Sequence, residues 1–207
     1  MFKADIAEGN LLFITKKGML KKTAWSEYSV SKTVFQGIRL NDGDRLIEVQ
    51  PDIEDDNTTV FFVTKKGMCL NAKKDDIPMQ GRVAGGVKGM NCNEGDEVVF
   101  ASQIDGEGEI VLAITGSRFK RVIAAQIDPL PRYRKGVHIA MLKEDEIIFA
   151  DYVTVPYMLA VTTDEGTMSE ISTEQVAIDA TNTRGRPVRG AKWKAVEVFA
   201  MKYRKDT

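Results

Sequence analysis

The stretch LLFITKKGML (11–20) decides the fold, because close copies of it recur along the chain. Residues 60–70 read VFFVTKKGMCL, and shorter apolar runs that also end in threonine follow as IVLAIT (110–115) and MLAVT (158–162). Self-similarity at a period of about fifty residues is typical of propellers and other repeat architectures. The spacing therefore predicts four units, at approximately 10–50, 59–101, 109–150 and 157–200, within a single repeat domain over residues 1–207.

Each unit opens with a short apolar run that lacks polar alternation, which is typical of a strand covered on both faces. In the first two units the threonine leads directly into Lys-Lys-Gly, so Gly18 and Gly67 can take the positive φ of a tight hairpin turn. Gly116-Ser117-Arg118 and Asp164-Glu165-Gly166 stand at this place in units three and four, and both favour turns. A β-hairpin is therefore predicted at the start of every unit.

A second landmark closes each unit, and it reads GIRLNDGDRLIEV (37–49), GVKGMNCNEGDEVVFA (86–101), GVHIAMLKEDEIIFA (136–150) and RGAKWKAVEVFA (189–200). A glycine that admits close backbone approach precedes an extended segment, a polar turn and a last apolar strand. This pattern predicts an all-β, propeller-like array of about four blades, each of four strands, with almost no helix. FKADIAEG (2–9) resembles the close of a unit, so we expect a frame shift that either closes a ring or marks part of a longer array.

Composition argues against several classes of protein. The 29 basic and 30 acidic side chains give a net charge of −1, whereas DNA-binding proteins usually carry a basic excess, although the cations here cluster locally. No apolar run is long enough to span a bilayer and residues 1–10 hold no apolar signal core, so we expect a cytoplasmic protein. Cys69, Cys92 and the single histidine, His138, form no zinc ligand pattern, and we expect neither a metal nor a cofactor.

The repeats resemble a known family. LLFITKKGMLKKTAWSEY (11–28), VFFVTKKGMCL (60–70) and GRVAGGVKGMNCNEGDEVV (81–99) are similar to repeats in the C-terminal domain of bacterial type IIA topoisomerase A subunits, those of gyrase and topoisomerase IV. The resemblance implies a β-pinwheel whose rim binds and bends or wraps duplex DNA without reading bases. It also implies that catalysis lies in other domains of the same topoisomerase, and that its partners are those domains and an ATPase subunit.

One motif departs from the gyrase pattern. The gyrase box combines a glutamine with basic residues and paired glycines, and residues 80–89 read QGRVAGGVKG, which keeps these elements but spaces and dilutes them. The resemblance therefore favours a topoisomerase IV-like domain or a divergent gyrase-like one. The acidic turn Asp164-Glu165-Gly166 of unit four predicts uneven DNA contact around the rim.

Recurrence and resemblance together select the candidate DNA contacts. The Lys-Lys-Gly turns are the leading candidates, because they recur in place, and cations on or after the next strand form a second group. The predicted set is Lys16, Lys17, Lys21, Lys22, Lys65, Lys66, Lys73, Lys74, Arg82, Lys88, Arg118, Lys120, Arg121, Arg132, Arg134 and Lys135.

No constellation of residues favours an active site. Arg132-Tyr133 matches the family's order of arginine and strand-cleaving tyrosine, but that tyrosine belongs to a separate helical domain, so we interpret Tyr133 as a surface or DNA-contacting residue. The Asp42/Asp44 pair and the acidic run 52–56 are typical of turns rather than of magnesium sites. His138 lies in an extended segment without a catalytic partner, which predicts a packing or edge position.

A second function class stays open at this point. A propeller of the kelch or WD type, which binds proteins across a flat face, has a similar period. The kelch signature of glycine doublets with spaced Tyr and Trp is missing from the sequence, and so is a terminal Trp-Asp, which favours DNA binding. Indifference to DNA and to charge reversal at the hairpin lysines would favour the protein-binding alternative.

Overall fold

The computed structural model describes residues 8–202 except 189, 191 and 192. Within this part of the chain the strands are β1 (Asn10–Thr15), β2 (Met19–Ala24), β3 (Leu46–Pro51), β4 (Thr59–Thr64), β5 (Met68–Ala72), β6 (Val87–Lys88), β7 (Val98–Ile104), β8 (Glu109–Ile114), β9 (Arg118–Ile123), β10 (Val137–His138), β11 (Ile147–Val153), β12 (Met158–Thr163), β13 (Met168–Ser172), β14 (Arg186–Pro187) and β15 (Ala195–Met201). Among the described residues, helix is limited to single 3-10 turns at Trp25–Tyr28, Ala124–Gln126 and Thr173–Gln175.

The strands form four antiparallel sheets, which we call blades 1 to 4. Their strand orders are β3-β1-β2-β6, β7-β4-β5-β10, β11-β8-β9-β14 and β15-β12-β13. The hairpins β1-β2, β4-β5, β8-β9 and β12-β13 are the ones predicted at the start of each unit. The all-β, bladed architecture is therefore confirmed.

The fourth strand of each complete blade comes from the next unit, which the sequence interpretation did not foresee. β6 and β10 follow the closing glycines Gly86 and Gly136, and β14 follows Gly185, which takes this place in unit four instead of the predicted Gly190. These three strands pair with β2, β5 and β9 of the preceding units. We call β6, β10 and β14 the outer strands. Four strands occur in units two, three and four, and three in unit one among the described residues. The sequence did not indicate that the short strand pairs outside its own unit, because a strand of two residues carries no signal for its partner.

Glycine makes this exchange of strands possible. Gly136 has a φ of 78°, and a Cβ added there would lie 1.8 Å from the carbonyl oxygen of Cys69 on the preceding unit. Gly86 stands in the same way 2.4 Å from the Leu20 carbonyl oxygen. Only glycine permits both this backbone conformation and this contact. The prediction of close backbone approach is confirmed at Gly86 and Gly136, but not at Gly37 or Gly190, where an added Cβ would meet no backbone atom within 4 Å. In unit four Gly185 takes this place, 2.9 Å from the Phe119 carbonyl oxygen by the same measure.

The last strands of the units line the inner side of the array. β3, β7, β11 and β15, which we call the closing strands, contact one another in chain order. They occupy the edge of each sheet opposite the outer strands. The outer strands therefore lie on the periphery, and this arrangement defines an outer rim.

Three apolar cores hold successive blades together. Leu12, Ile14 and Leu20 of blade 1 pack against Phe62 and Leu70 of blade 2. Equivalent clusters join blade 2 to blade 3, and blade 3 to blade 4. Burial of large apolar side chains between sheets is the main favourable contribution to the stability of such an array.

A threonine–aspartate pair fixes the hairpins of the first three units. Thr15 Oγ1 donates to Asp44 Oδ2 over 2.7 Å, and Thr64 Oγ1 donates to Asp96 Oδ2 over 2.7 Å. Thr115 and Asp145 repeat the pair at 3.1 Å. In unit four Thr163, not Thr162, takes the equivalent place, since its hydroxyl accepts from Thr167 N as Thr15 accepts from Met19 N. The repeat alignment of unit four was therefore wrong by one residue.

Candidate nucleic-acid interface

The periphery is built from three segments that we call the rim segments, residues 79–88, 130–138 and 178–187. Each ends in an outer strand, and each begins with an isolated parallel bridge to the preceding unit, at Lys22–Met79, Ala72–Leu130 and Arg121–Ile178. Backbone hydrogen bonds such as Lys73 N to Leu130 O, 2.9 Å, hold the segments in place. Polar and cationic side chains of these segments face outward at each junction between blades.

The rim segment of unit three carries the densest group of cations. Lys88 of the neighbouring unit donates to Tyr133 Oη over 2.8 Å, with its ammonium 4.6 Å from the ring centroid. Arg132 donates to the Lys88 carbonyl over 2.9 Å and forms a salt bridge of 2.8 Å with Asp76. Arg134 is exposed, and no described acidic side chain forms a salt bridge with it. This group presents cations across the boundary between two units.

Tyr133 has an unusual backbone conformation. Its φ is 60°, in a region that non-glycine residues seldom occupy, and its N–H donates to the Gly89 carbonyl. The side chain is 41% exposed. The loop therefore holds an aromatic ring and its flanking cations at a fixed place on the rim.

The rim segment of unit two carries fewer charges. The guanidinium of Arg82 lies 5.4 Å from the ring centroid of Phe35 and donates to the Gln36 carbonyl. Lys88 is exposed at the end of the same segment. Residues 80–89, the stretch compared above with the gyrase box, thus include most of this rim segment.

The rim segment of unit four contains two arginines outside the predicted set. Arg184 and Asp145 form a salt bridge of 2.6 Å, and Arg186 pairs with Asp179 at 2.6 Å. The Arg186 side chain is nevertheless 69% exposed. The closing glycine of unit four was predicted at Gly190, whereas Gly185 corresponds to Gly86 and Gly136 in the structure. That displaced alignment hid the position of the two arginines next to a closing glycine.

The hairpin lysines occupy the equivalent place in blades 1 and 2, but two of them are paired. Lys16 forms a salt bridge of 2.8 Å with Glu97, and Lys65 one of 2.9 Å with Glu146, in both cases on the following unit. The Glu146 carboxylate raises the pKa of Lys65 by its hydrogen bond. Lys17 and Lys66 are exposed. Each hairpin thus has one exposed lysine and uses the other to join blades, and the exposed Lys17 also donates from Nζ to Asp42 O over 2.6 Å.

Other predicted contacts also have acidic partners. Lys22 and Lys74 approach opposite oxygens of the buried Asp52 carboxylate, at 2.5 and 3.0 Å, and so join units one and two. Arg121 is bound to Glu109 at 2.5 Å. Lys73 is exposed and Arg118 half-buried, and no described acidic side chain forms a salt bridge with either.

Two members of the predicted set are buried. Lys21 and Lys120 have no exposed surface, so neither ammonium can reach a phosphate in this conformation. The prediction that they contact DNA is therefore incompatible with their placement, because tertiary packing encloses them. The exposed members without a salt bridge to a described acidic residue are Lys17, Lys66, Lys73, Lys88, Arg134 and Lys135.

The remaining candidate groups have structural roles in the described residues. The Asp44 carboxylate accepts from Thr15 Oγ1, Lys17 N and Arg45 N, which accounts for its burial within a turn. His138 is exposed on the outer strand β10 and therefore lies at an edge. No cluster of three or more His, Cys, Asp or Glu residues that could hold a metal occurs in the described part of the chain. A membrane-crossing helix is likewise not found among those residues.

Fold and rim together define a class of protein: a propeller-like repeat domain whose blades exchange outer strands and whose periphery carries cations. Comparison with known proteins identifies the family. The sequence matches the family described as "DNA gyrase C-terminal domain, beta-propeller" over residues 9–51, 58–105 and 118–150. The chain belongs to this family.

Relatives of the chain include A subunits of DNA gyrase and of DNA topoisomerase 4. The chain is 30% identical over 179 residues to the A subunit of DNA gyrase from Klebsiella oxytoca, covering 85% of this chain and 20% of that protein. It is 28% identical over 173 residues to the A subunit of DNA topoisomerase 4 from Bacillus subtilis, covering 80% and 21%. The chain thus spans about a fifth of the length of these relatives.

Solved structures agree on the fold. The crystal structure of the C-terminal domain of DNA topoisomerase IV aligns with a TM-score of 0.82 at 24% identity, covering 93% of this chain and 61% of that one. The DNA gyrase A C-terminal domain aligns with a TM-score of 0.75 at 21% identity, covering 93% and 66%. At these identities the likeness speaks to architecture alone.

Proposed function

We propose that this chain is a DNA-binding and DNA-bending or wrapping domain that engages duplex phosphates along its outer rim without reading sequence. In this proposal residues 1–207 act as one repeat domain, in the bacterial cytoplasm, of the A subunit of a type IIA topoisomerase, gyrase or topoisomerase IV. Catalysis takes place in other domains, with which this domain and an ATPase subunit cooperate. The domain supplies no catalytic residue, metal or cofactor.

The observation that carries the proposal is the rim cluster at the boundary of units two and three. Lys88, Arg134 and Lys135 are exposed there around Tyr133, next to the outer strands at the periphery of the blades. Cations on a convex edge neutralise phosphates on the inner side of a bent duplex, which offsets an elastic cost of order 1–6 kcal/mol. A net charge of −1 does not oppose this, because the cations cluster locally and several acidic side chains, such as Glu97 and Glu146, pair with lysines of the neighbouring unit.

The salt dependence of binding tests the proposal. If about 6–8 phosphates are contacted, log affinity falls with log salt at a slope of about −5 to −7. Fluorescence anisotropy with a labelled random-sequence duplex several helical turns long measures this slope. Weak salt dependence, or no binding at low salt, contradicts the proposal.

A matched pair of variants distinguishes the rim from the hairpins. Arg134→Gln with Lys135→Gln removes two exposed rim cations and should reduce the steepness of the slope by about 2. Lys16→Gln with Lys65→Gln removes the same charge from two lysines that already have partners, and should change the slope by less than 1 or so. A larger effect of the Lys16 and Lys65 pair than of the Arg134 and Lys135 pair would place the interface on the hairpin side instead.

The kelch or WD-type alternative has no observation in its favour. No described surface singles out a flat face for a peptide, and the family match points to gyrase C-terminal domains. The distinction between gyrase-like and topoisomerase IV-like behaviour is open to experiment, since relatives of both kinds match. Linking-number change of relaxed circular DNA, closed by a nicking-closing enzyme, measures the hand of any wrap.

A further inference from the structure

Lys21 and Lys120 occupy the same position in their units. Lys21 on β2 lies opposite Phe13 on β1, and Lys120 on β9 lies opposite Leu112 on β8. The two lysines therefore have equivalent register in their hairpins. Both side chains are completely buried, although lysine is among the residues least often enclosed without a charged partner. Among the described residues neither forms a salt bridge. A buried ammonium without a charged partner is tolerated only when hydrogen bonds replace the water that it has lost.

The two ammonium groups donate to backbone carbonyls of loops that pack over them. Lys21 Nζ lies 2.7 Å from Gly37 O, 3.1 Å from Tyr28 Oη, and also donates to Arg82 O. Lys120 Nζ lies 2.7 Å from Ala180 O, 3.0 Å from Ile139 O and 3.2 Å from Thr183 Oγ1. In each case at least one acceptor belongs to the rim segment of the following unit.

We propose that Lys21 and Lys120 are positioning residues of the DNA-binding rim, which hold the backbone of the next unit's rim segment without contacting DNA. The inference rests on the proposed function. Lys21 fixes the carbonyl of Arg82 itself, and Lys120 fixes the loop directly before Arg184 and Arg186. The guanidinium groups on these segments are thereby held on the periphery.

Units two and four show what replaces the lysine. The equivalent residues are Leu70, which pairs with Phe62, and Ser169, which pairs with Val161. Next to Leu70 in the sequence, Asn71 Nδ2 donates to Ile127 O over 2.8 Å. In unit two a neutral amide therefore anchors the backbone just before the rim segment 130–138. Beyond Ser169, no rim segment pairs with β13 within the described chain. The buried ammonium therefore occurs in units one and three, where it reaches at least one carbonyl of the following rim segment.

The charge state is consistent with this role at neutral pH. Burial and then the Arg82 charge lower the pKa of Lys21 to about 8, while Glu27 opposes the shift. Burial lowers the pKa of Lys120 to about 8, while Asp179 and Cys69 oppose the shift. Both groups therefore remain protonated at pH 7, with all three N–H donors available.

Hydrogen exchange of the free protein tests the anchoring directly. Lys21→Met keeps the length of the side chain and removes its donors, so amides of residues 79–88 should exchange roughly tenfold faster, while residues 130–138 are unchanged. Lys120→Leu, which copies unit two, should have the same effect on residues 178–187 and serves as the second variant if Lys21→Met folds poorly. Unchanged exchange in these segments would overturn the inference.

A double-mutant cycle tests the consequence for DNA. Arg82→Gln alone should reduce the steepness of the salt slope by about 1 if Arg82 contacts a phosphate. Lys21→Met should lower affinity to a similar extent, and the double variant should lose no more than either single variant. Additive losses would contradict the positioning role. Leu159→Ala, a substitution at a buried residue of blade 4, controls for lost stability. It should leave DNA affinity unchanged at temperatures at which the variant is folded.

The outcomes separate the two proposals. If the wild-type chain binds no duplex, the proposed function fails, and the DNA role of the two lysines fails with it. The exchange experiment contains no DNA and decides independently whether the lysines hold the rim.

Discussion

At the scale of single residues, charge alone does not decide which lysines can meet a ligand. Lys21 and Lys22 are adjacent in sequence, yet Lys21 is enclosed by carbonyls while Lys22 pairs with Asp52. Strand alternation places the two on opposite faces of the sheet. Which face is covered depends on loops from distant residues, so sequence could identify the cationic positions but not their exposure.

The buried lysines predict a pH dependence of stability. A folded-state pKa of about 8 for Lys120, against about 10.4 in the unfolded chain, means that the unfolded state binds more protons between these values. The unfolding free energy contributed by Lys120 therefore rises with pH through this window and is constant below it. Urea unfolding at pH 7 and pH 9 should show wild type gaining about 1 kcal/mol relative to Lys120→Met. A gap that is constant or shrinks would contradict the lowered pKa.

At the scale of elements, the hairpins and closing strands followed from the sequence, while the outer strands did not. Apolar runs and Lys-Lys-Gly turns carry local signals for β1-β2 and β4-β5. β10, by contrast, consists of Val137 and His138 only, and its partner β5 belongs to another unit. The closing glycine was the one local clue, since it predicted close backbone approach but not the strand approached.

A pair of glycine substitutions tests the exchanged strand. Gly136→Ala places a methyl group against the Cys69 carbonyl at a φ of 78°, so the outer strand of blade 2 must detach. Gly166→Ala has a φ of 73° but open space around the added Cβ. We expect the second change to cost about 1–2 kcal/mol of unfolding free energy, and the first clearly more. Equal costs in urea unfolding would show that Gly136 is not pressed against β5.

At the scale of the whole molecule, the repeat predicts where cations recur but not how evenly they are exposed. Unit three presents Arg134 and Lys135, whereas the hairpin of unit four presents Asp164 and Glu165. Exposed acidic side chains near that end repel phosphates. The contact with DNA is therefore expected on one arc of the rim, centred on the boundary between units two and three.

Tyr133 provides a probe of bending that is separate from affinity. Tyr133→Ala removes the ring that holds Lys88 but leaves each cation in the sequence. We expect the bend angle, measured by energy transfer between the ends of a labelled duplex, to fall while affinity changes by less than about tenfold. Tyr157→Ala, at a site away from the rim segments, is the control. A bend angle equal to that of wild type would exclude Tyr133 from shaping the path of the duplex.

The most direct test that DNA binds along the outer rim is amide hydrogen exchange of the chain with and without duplex DNA. If DNA binds along the rim, amide exchange slows in residues 79–88 and 130–138 when DNA is added, and it changes little at the hairpin of unit four. Protection confined to the hairpin turns at 15–18 and 64–67, or to the closing strands, would contradict it.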